Sequence, residues 1–316
     1  MNLVSIIVAM YNEELNVQSC IETLKAQINQ RFDVVFIDDG STDNTVFNLR
    51  SFLSAGVEFN YEIIEQTNHG AAAARKRGID HALTEFIMIL DCDDKLSNNL
   101  VDEVYKKYNE YPNIDIIIPS MLIQNKKGDW SNLFFYTADI QLDPWDCIKN
   151  SLNGWHIHGC FAIKKSIIEK SYEDYKLYNK NNKDYLNNDE VITRLNFRNS
   201  KIIVKSAAKY YYCYNVLSTT KKINNKKYLM IKNALILNSL FSGNKEVEPI
   251  AQADLISVLW GVSIYMHRHK IDLENIVEWE KLIKKTTKEI KYFNFFNKLS
   301  FKKKIQLTTL KLVNLL

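Results

Sequence analysis

Phe86-Ile87-Met88-Ile89-Leu90-Asp91-Cys92-Asp93-Asp94 is the stretch whose reading decides the fold. Five apolar residues run without a break into three carboxylates. So short and wholly apolar a run reads as a strand buried on both faces, the pattern of a parallel sheet covered by helices. The acids begin where the strand emerges, and open α/β sheets take their ligands outside the carboxyl ends of their strands. Three carboxylates in four positions repel one another, which near a low-dielectric sheet either raises a pKa or calls for a cation. Hard oxygen donors suit Mg2+ or Mn2+. The stretch therefore points to a divalent metal at Asp91 and Asp93, with a phosphate-bearing ligand. A solvated acidic turn, with Asp94 or Ser97 capping the next helix, is the competing reading.

Working back toward the N-terminus, the same arrangement repeats. Leu3 to Met10 is a second apolar run and ends in Tyr11-Asn12-Glu13-Glu14. Val17, Cys20, Ile21, Leu24 and Ile28 then fall at helical spacing. Phe32 to Ile37 runs into Asp38-Asp39-Gly40-Ser41-Thr42-Asp43, a turn followed by helix caps. Phe59 to Ile64 is a further strand, and Ala71 to Arg75 opens a helix with a thin face. Gly78 inside that helix marks close packing. Alternating strands and helices with short links predict a doubly wound, mostly parallel α/β sheet, with acids gathered at one end. Working forward, the pattern predicts a helix over 100–108, a strand over 114–118, loop-like residues over 121–144 with strand fragments at Leu122-Ile123 and Leu133 to Tyr136, a helix over 145–152 and an alternating stretch over 154–163 that ends in a strand. A short helix at 164–170, a polar loop at 175–188 and two strands at 201–204 and 207–214 follow. From Lys227 helical spacing takes over. The expected division is a domain over 1–222, with halves 1–100 and 101–222, and a helical C-terminal extension over 223–316.

The 316 residues are 46% apolar and 25% charged, an ordinary globular composition. The net charge of +4 conceals an asymmetry: residues 1–100 carry 7 Lys/Arg against 15 Asp/Glu. No basic leader is visible, and no run reaches about 18 uninterrupted apolar residues, so neither a signal peptide nor a membrane span is expected. Five scattered cysteines without a CxxC pair suggest a reduced, cytoplasmic compartment. Basic residues are too sparse to make nucleic acid a partner. There is no GxGxxG after the first strand and no GxxxxGK[ST] anywhere, which argues against dinucleotide and P-loop folds.

Four motifs, taken together and in order, resemble the family 2 glycosyltransferases, which have the GT-A fold. They are Val4 to Glu14, Ile37 to Thr45, Asn68 to Arg75 and Leu90 to Asp94. The likeness extends over roughly residues 1–220, and the chain also resembles bacterial capsule and lipopolysaccharide sugar transferases. It implies a metal-dependent inverting transfer of a hexosyl or N-acetylhexosaminyl group from a UDP-sugar to a glycan or lipid-linked acceptor. Ala9, Tyr11 and Glu13 would line the base and ribose, and Asp39 would accept the uracil N–H. Arg75 would reach the diphosphate. Asp91, Cys92 and Asp93 would form the DxD element, with Asp93 on Mn2+ or Mg2+ and Asp91 on the same metal or on the ribose hydroxyls.

The resemblance also implies a catalytic base after the acceptor loop. Asn188-Asp189-Glu190-Val191 offers two candidates: alignment of the apolar positions selects Glu190, and residue type selects Asp189. His158, preferred over His156, would flank the acceptor or diphosphate beside Gly159. The tail from Tyr292 to Leu316 has no acid, and six lysines lie in or just before it (291, 298, 302, 303, 304, 311). Two readings of it stand: a peripheral contact on the inner face of an anionic membrane, or a helix docked on the protein or in a homodimer. Other readings of the whole chain are a metal-dependent nucleotidyltransferase or phosphatase on a similar sheet, and a non-catalytic subunit of a glycan-assembly complex.

Overall fold

The computed structural model describes residues 1–155, 157, 159–179, 188–215, 223–290, 296 and 299–315. His156 and His158 lie outside the described residues, as do 180–187 and 216–222. The chain begins β1 (Val4–Met10), α1 (Val17–Lys25), β2 (Asp33–Asp38), α2 (Thr45–Ser54), β3 (Asn60–Glu65), α3 (Ala71–His81) and β4 (Phe86–Ile89). It continues β5 (Lys95–Leu96), α4 (Leu100–Glu110), β6 (Ile116–Gln124), β7 (Trp130–Leu133), β8 (Gln141–Leu142) and α5 (Pro144–Leu152). Then come β9 (Ala162–Lys164), α6 (Lys165–Tyr178), α7 (Asp189–Asn199) and β10 (Ile203–Tyr212). The C-terminal helices are α8 (Met230–Leu240), α9 (Glu248–Arg268), α10 (Ile276–Glu289) and α11 (Phe301–Leu315).

One mixed sheet runs in the order β3-β2-β1-β4-β9-β6-β10-β5, with β7 on β6 and β8 on β10. The β3-β2-β1-β4 half is parallel throughout, and β10 is parallel to β6. The three residues of β9 pair antiparallel with both β4 and β6, joining the halves. Ile6, Ile7, Val8, Phe36, Ile37, Phe86 and Ile87 are fully buried, as expected of strands covered on both faces. In register, Met10 lies beside Asp38, and Ile7 beside Ile89. The carboxyl ends of β1, β2 and β4 therefore share one edge of the sheet.

The second half departs from the sequence reading in physical detail. β6 continues through Gln124 because β7 folds back on it as a hairpin. β10 is one strand, with its pairing register shifting between Lys205 and Lys209. α6 extends to Tyr178, because buried Ile168, Ser171 and Tyr175 keep helical spacing through a polar surface.

Two compact units can be separated. The first comprises Met1–Cys147, Trp155–Leu177 and Ile192–Asn215. The second comprises Ile148–Gly154, Tyr178–Val191 and Val216–Leu316. The second unit's core includes Leu255, Ile256 and Leu259 of α9, Trp279 and Ile283 of α10, and Leu307 and Leu310 of α11. α9 is long and apolar enough by length and composition to cross a membrane, which a search for an uninterrupted apolar run overlooks because Gln252 and Asp254 break it.

Candidate functional site

Hydrogen bonds lace the loops after β1 and β2 together. Asn12, in a left-handed conformation at φ 56°, donates its N–H to Ser41 Oγ at 2.9 Å. Its side-chain oxygen accepts the Thr42 N–H at 2.8 Å. Glu13 N–H donates to Thr45 Oγ1 at 2.7 Å. The Tyr11 ring is 47% exposed and so free to pack on a planar ligand. Ala9 is half-buried near the end of β1.

Asp39 is buried, and the loop that follows β3 surrounds its carboxylate. Oδ1 accepts from Gln66 Nε2 at 2.7 Å and from His69 N–H at 2.8 Å, and Oδ2 from Gly70 N–H at 2.7 Å. Its evident work is to fasten residues 66–70 at the start of α3. Gly40 makes that fastening possible: at φ 75° its Cα approaches the same loop so closely that a Cβ would lie 2.9 Å from Asn68 N. Asp38 Oδ2 accepts from the Gly40 and Ser41 N–H groups, while its Oδ1 is buried without a hydrogen-bond partner. The orphaned oxygen is an acceptor that the sequence reading did not select.

The exit of β4 sorts its acids by direction. Asp94 turns inward, 2% exposed, and accepts from Tyr210 Oη at 2.8 Å and Cys213 N–H at 2.8 Å. Burial, then the Asp91 charge, push its carboxyl up to about 8. Cys92 is also buried, its thiol against Cys20 of α1. Asp91 and Asp93 stay half-buried at the edge. Arg75 Nη2 donates to Asp91 Oδ1 at 2.7 Å, and Asn215 Nδ2 to Asp93 Oδ2 at 2.8 Å. Of these partners the motif singled out Arg75, for the diphosphate rather than for Asp91. Tyr210 and Asn215 were not assigned to the acids, since only tertiary pairing brings residues more than 100 positions apart to the loop.

Glu13 belongs to the same cluster. Burial pushes its carboxyl up to about 7; the Asn16 amide opposes this, and the charges of Asp93, Asp91 and Asp43 add to the rise. Among the described residues, no group of three or more His, Cys, Asp and Glu side chains is arranged as a ready metal cage. The donor chemistry nonetheless suits Mg2+ or Mn2+, which bind through one or two carboxylates and fill their shell with water and phosphate oxygens. Asp91 and Asp93 are those carboxylates, and a cation there would offset the repulsion that raises Glu13.

Asp189 and Glu190 stand in the first turn of α7, both half-buried. The turn's backbone N–H groups favour negative charge at that place.

The model of the family described as "Glycosyl transferase family 2" matches residues 5–175, a little over half of the chain. The glycosyltransferase GlyG of Streptococcus pneumoniae serotype 4 is 30% identical over 137 residues, 43% of this chain and 44% of that protein. The teichoic acid poly(glycerol phosphate) polymerase of Staphylococcus epidermidis is 33% identical over 110 residues, 34% of this chain and 15% of that protein. The matched segments thus span less than half of either relative's length. The crystal structure of S. aureus TarS 1-349 in complex with UDP superposes with a TM-score of 0.66 at 17% identity. That superposition covers 99% of this chain and 88% of that one, a likeness of fold. The four sequence motifs, the mostly parallel sheet with its acids on one edge and the match of the family model lead to one assignment: the chain belongs to glycosyl transferase family 2.

Proposed function

We propose that the protein is an inverting glycosyltransferase that moves a sugar from a UDP-sugar to a hydroxyl of a glycan or lipid-linked acceptor in bacterial surface-polymer synthesis. The observation that carries this reading is the convergence of Glu13, Asp91 and Asp93 on one edge of the sheet, with Arg75 bound to Asp91. UDP in the TarS complex and the teichoic acid relative support the choice of donor and pathway class.

In this reading the exposed Tyr11 ring packs on the uracil, beside Ala9. Glu13 faces the ribose. Asp39 contributes by holding the 66–70 loop. Arg75 shares its guanidinium between Asp91 and the diphosphate. Asp91 and Asp93 hold Mn2+ or Mg2+, which when bound supplies charge stabilisation for the departing UDP. Asp189, or Glu190 beside it, removes the proton of the acceptor hydroxyl as that oxygen attacks the anomeric carbon. All five cysteines are free thiols, which suits a cytoplasmic protein.

The test is release of UDP from a panel of UDP-sugars with added Mn2+, for the native protein and Asp93→Ala. Removing one ligand of the charge-stabilising cation lowers turnover by roughly a hundredfold or more. Equal activity of Asp93→Ala, or full activity after chelation, would remove the metal-assisted mechanism.

A further inference from the structure

Within the second unit, α11 carries two different apolar faces. Leu307 and Leu310 are buried in the unit's core, beside α9 and α10. On another side, Phe301, Ile305 and Leu312 follow one another at helical spacing and are 80%, 50% and 61% exposed. Val313, next to Leu312, is 67% exposed. Residues four and seven apart lie on one stripe of a helix, so this second face is an apolar stripe about 17 Å long from Phe301 to Leu312, with Thr308 in the turn between Ile305 and Leu312. Lys302 flanks the stripe on one side, and Lys304 and Lys311 on the other, by the 100° turn per residue. The helix contains no Asp or Glu. Lys304 Nζ sits 5.4 Å from the Phe296 ring centre, Lys311 Nζ donates to the Ile290 carbonyl, and Lys303 Nζ reaches Ser257 Oγ.

We propose that this exposed face of α11 is a docking surface for an anionic lipid bilayer. An apolar stripe with lysines on both flanks is the form of a helix lying in a membrane interface, where the stems reach up and the ammonium groups meet lipid phosphates. A second copy of the chain fits less well, because stripe against stripe would set the two rows of lysines against each other without an acid to separate them. Four apolar side chains and a few lysines make a reversible contact that relies on both apolar burial and charge. The surface would hold the enzyme against the membrane where a lipid-linked acceptor resides. It depends on the glycosyltransferase reading only for that consequence, and its test needs no nucleotide.

The experiment is co-sedimentation of the full chain with phosphatidylcholine vesicles, with and without phosphatidylglycerol, at low and high salt. Binding is expected to the anionic vesicles alone and to weaken with salt. Lys302→Gln with Lys304→Gln lowers the partition coefficient about 30-fold, taking ~1 kcal/mol for each lysine near the surface. Phe301→Ser with Ile305→Ser abolishes binding while the circular dichroism spectrum and melting profile stay native, since both residues are exposed. Equal binding to neutral vesicles, no binding of the native chain, or unaltered binding of either pair of variants would overturn the proposal. So would a native dimer, seen by light scattering, that the Phe301/Ile305 variant dissolves.

Discussion

Gly78→Ala joins packing to the site in one measurement. A Cβ at Gly78 would overlap Cγ2 of Ile7 and lie 3.3 Å from Cγ1 of Ile37. Ile7 and Ile37 are 0% exposed, Ile7 in the middle of β1 and Ile37 one residue before the end of β2. Cγ2 is attached directly to a branched β-carbon, so no remote torsion can swing it aside. Overpacking of this kind costs about 1–3 kcal/mol. Replacing a mid-helix glycine by alanine returns about 1 kcal/mol of helix propensity. The direct overlap with Ile7 places the cost at the upper end of that range, so the net expectation is a loss of about 2 kcal/mol, and more for Gly78→Val. Urea unfolding followed by circular dichroism reads the difference. A cycle with Ile7→Ala, whose missing Cγ2 makes room, should return a coupling of about 1 kcal/mol. The functional half of the prediction follows from position. Arg75 lies one turn before Gly78 on α3, so a helix lifted from the sheet carries the guanidinium away from Asp91, and UDP binding weakens with stability. A Gly78→Ala protein as stable as the native one, or a cycle without coupling, would refute the close-packing argument.

Three further outcomes follow from the acids. Tyr210→Phe deprives the buried Asp94 of a donor and should cost about 1–3 kcal/mol of stability; unchanged unfolding would contradict that bond. Arg75→Gln breaks an ion pair that is partly exposed, so stability should change by less than about 1 kcal/mol while the KM for the UDP-sugar rises about tenfold. A collapse in stability or an unchanged KM would reassign Arg75. Glu13 has a folded pKa of about 7, above its model-peptide value of 4.5, so the folded state retains a proton that the unfolded chain has lost between those values. Its contribution to stability therefore falls as pH rises through that window. The melting temperature of Glu13→Gln relative to the native protein should increase from pH 4.5 to pH 7, and added Mn2+ should reduce the gap. A gap that does not vary with pH would mean that Glu13 is not desolvated as described.

The first half of the fold was legible because its signals are local. Val4–Met10, Asp33–Asp38 and Phe86–Ile89 are apolar runs that end in acids, and each strand lies within a residue or two of its expected place. The second half depends on partners distant in sequence. The alternation over 154–163 signalled a strand ending at β9, but that three residues suffice, because β4 and β6 clasp them on both sides, is set by those distant partners. The same limit applied at the site. The residue types near Asp91 and Asp93 were readable, but not that Asp94 and Cys92 point inward while Asp91 and Asp93 stay at the edge. Nor could Asp39 be read as a brace: a carboxylate beside a glycine turn has the same spelling whether it meets a ligand or three donors of its own chain.

β5, the two residues after Asp94, pairs with Tyr210 and Tyr211 of β10, and Cys213 and Asn215, just past that strand, supply partners to Asp94 and Asp93. The sequence separations are 119 and 122 residues. During synthesis the acidic loop is therefore complete in chemistry long before it is complete in shape. Closing so long a span is entropically costly and slow compared with winding a helix. A nascent chain released before β10 would display the whole DxD motif and lack the bonds that aim it, so the competence of the site is a late event on the ribosome.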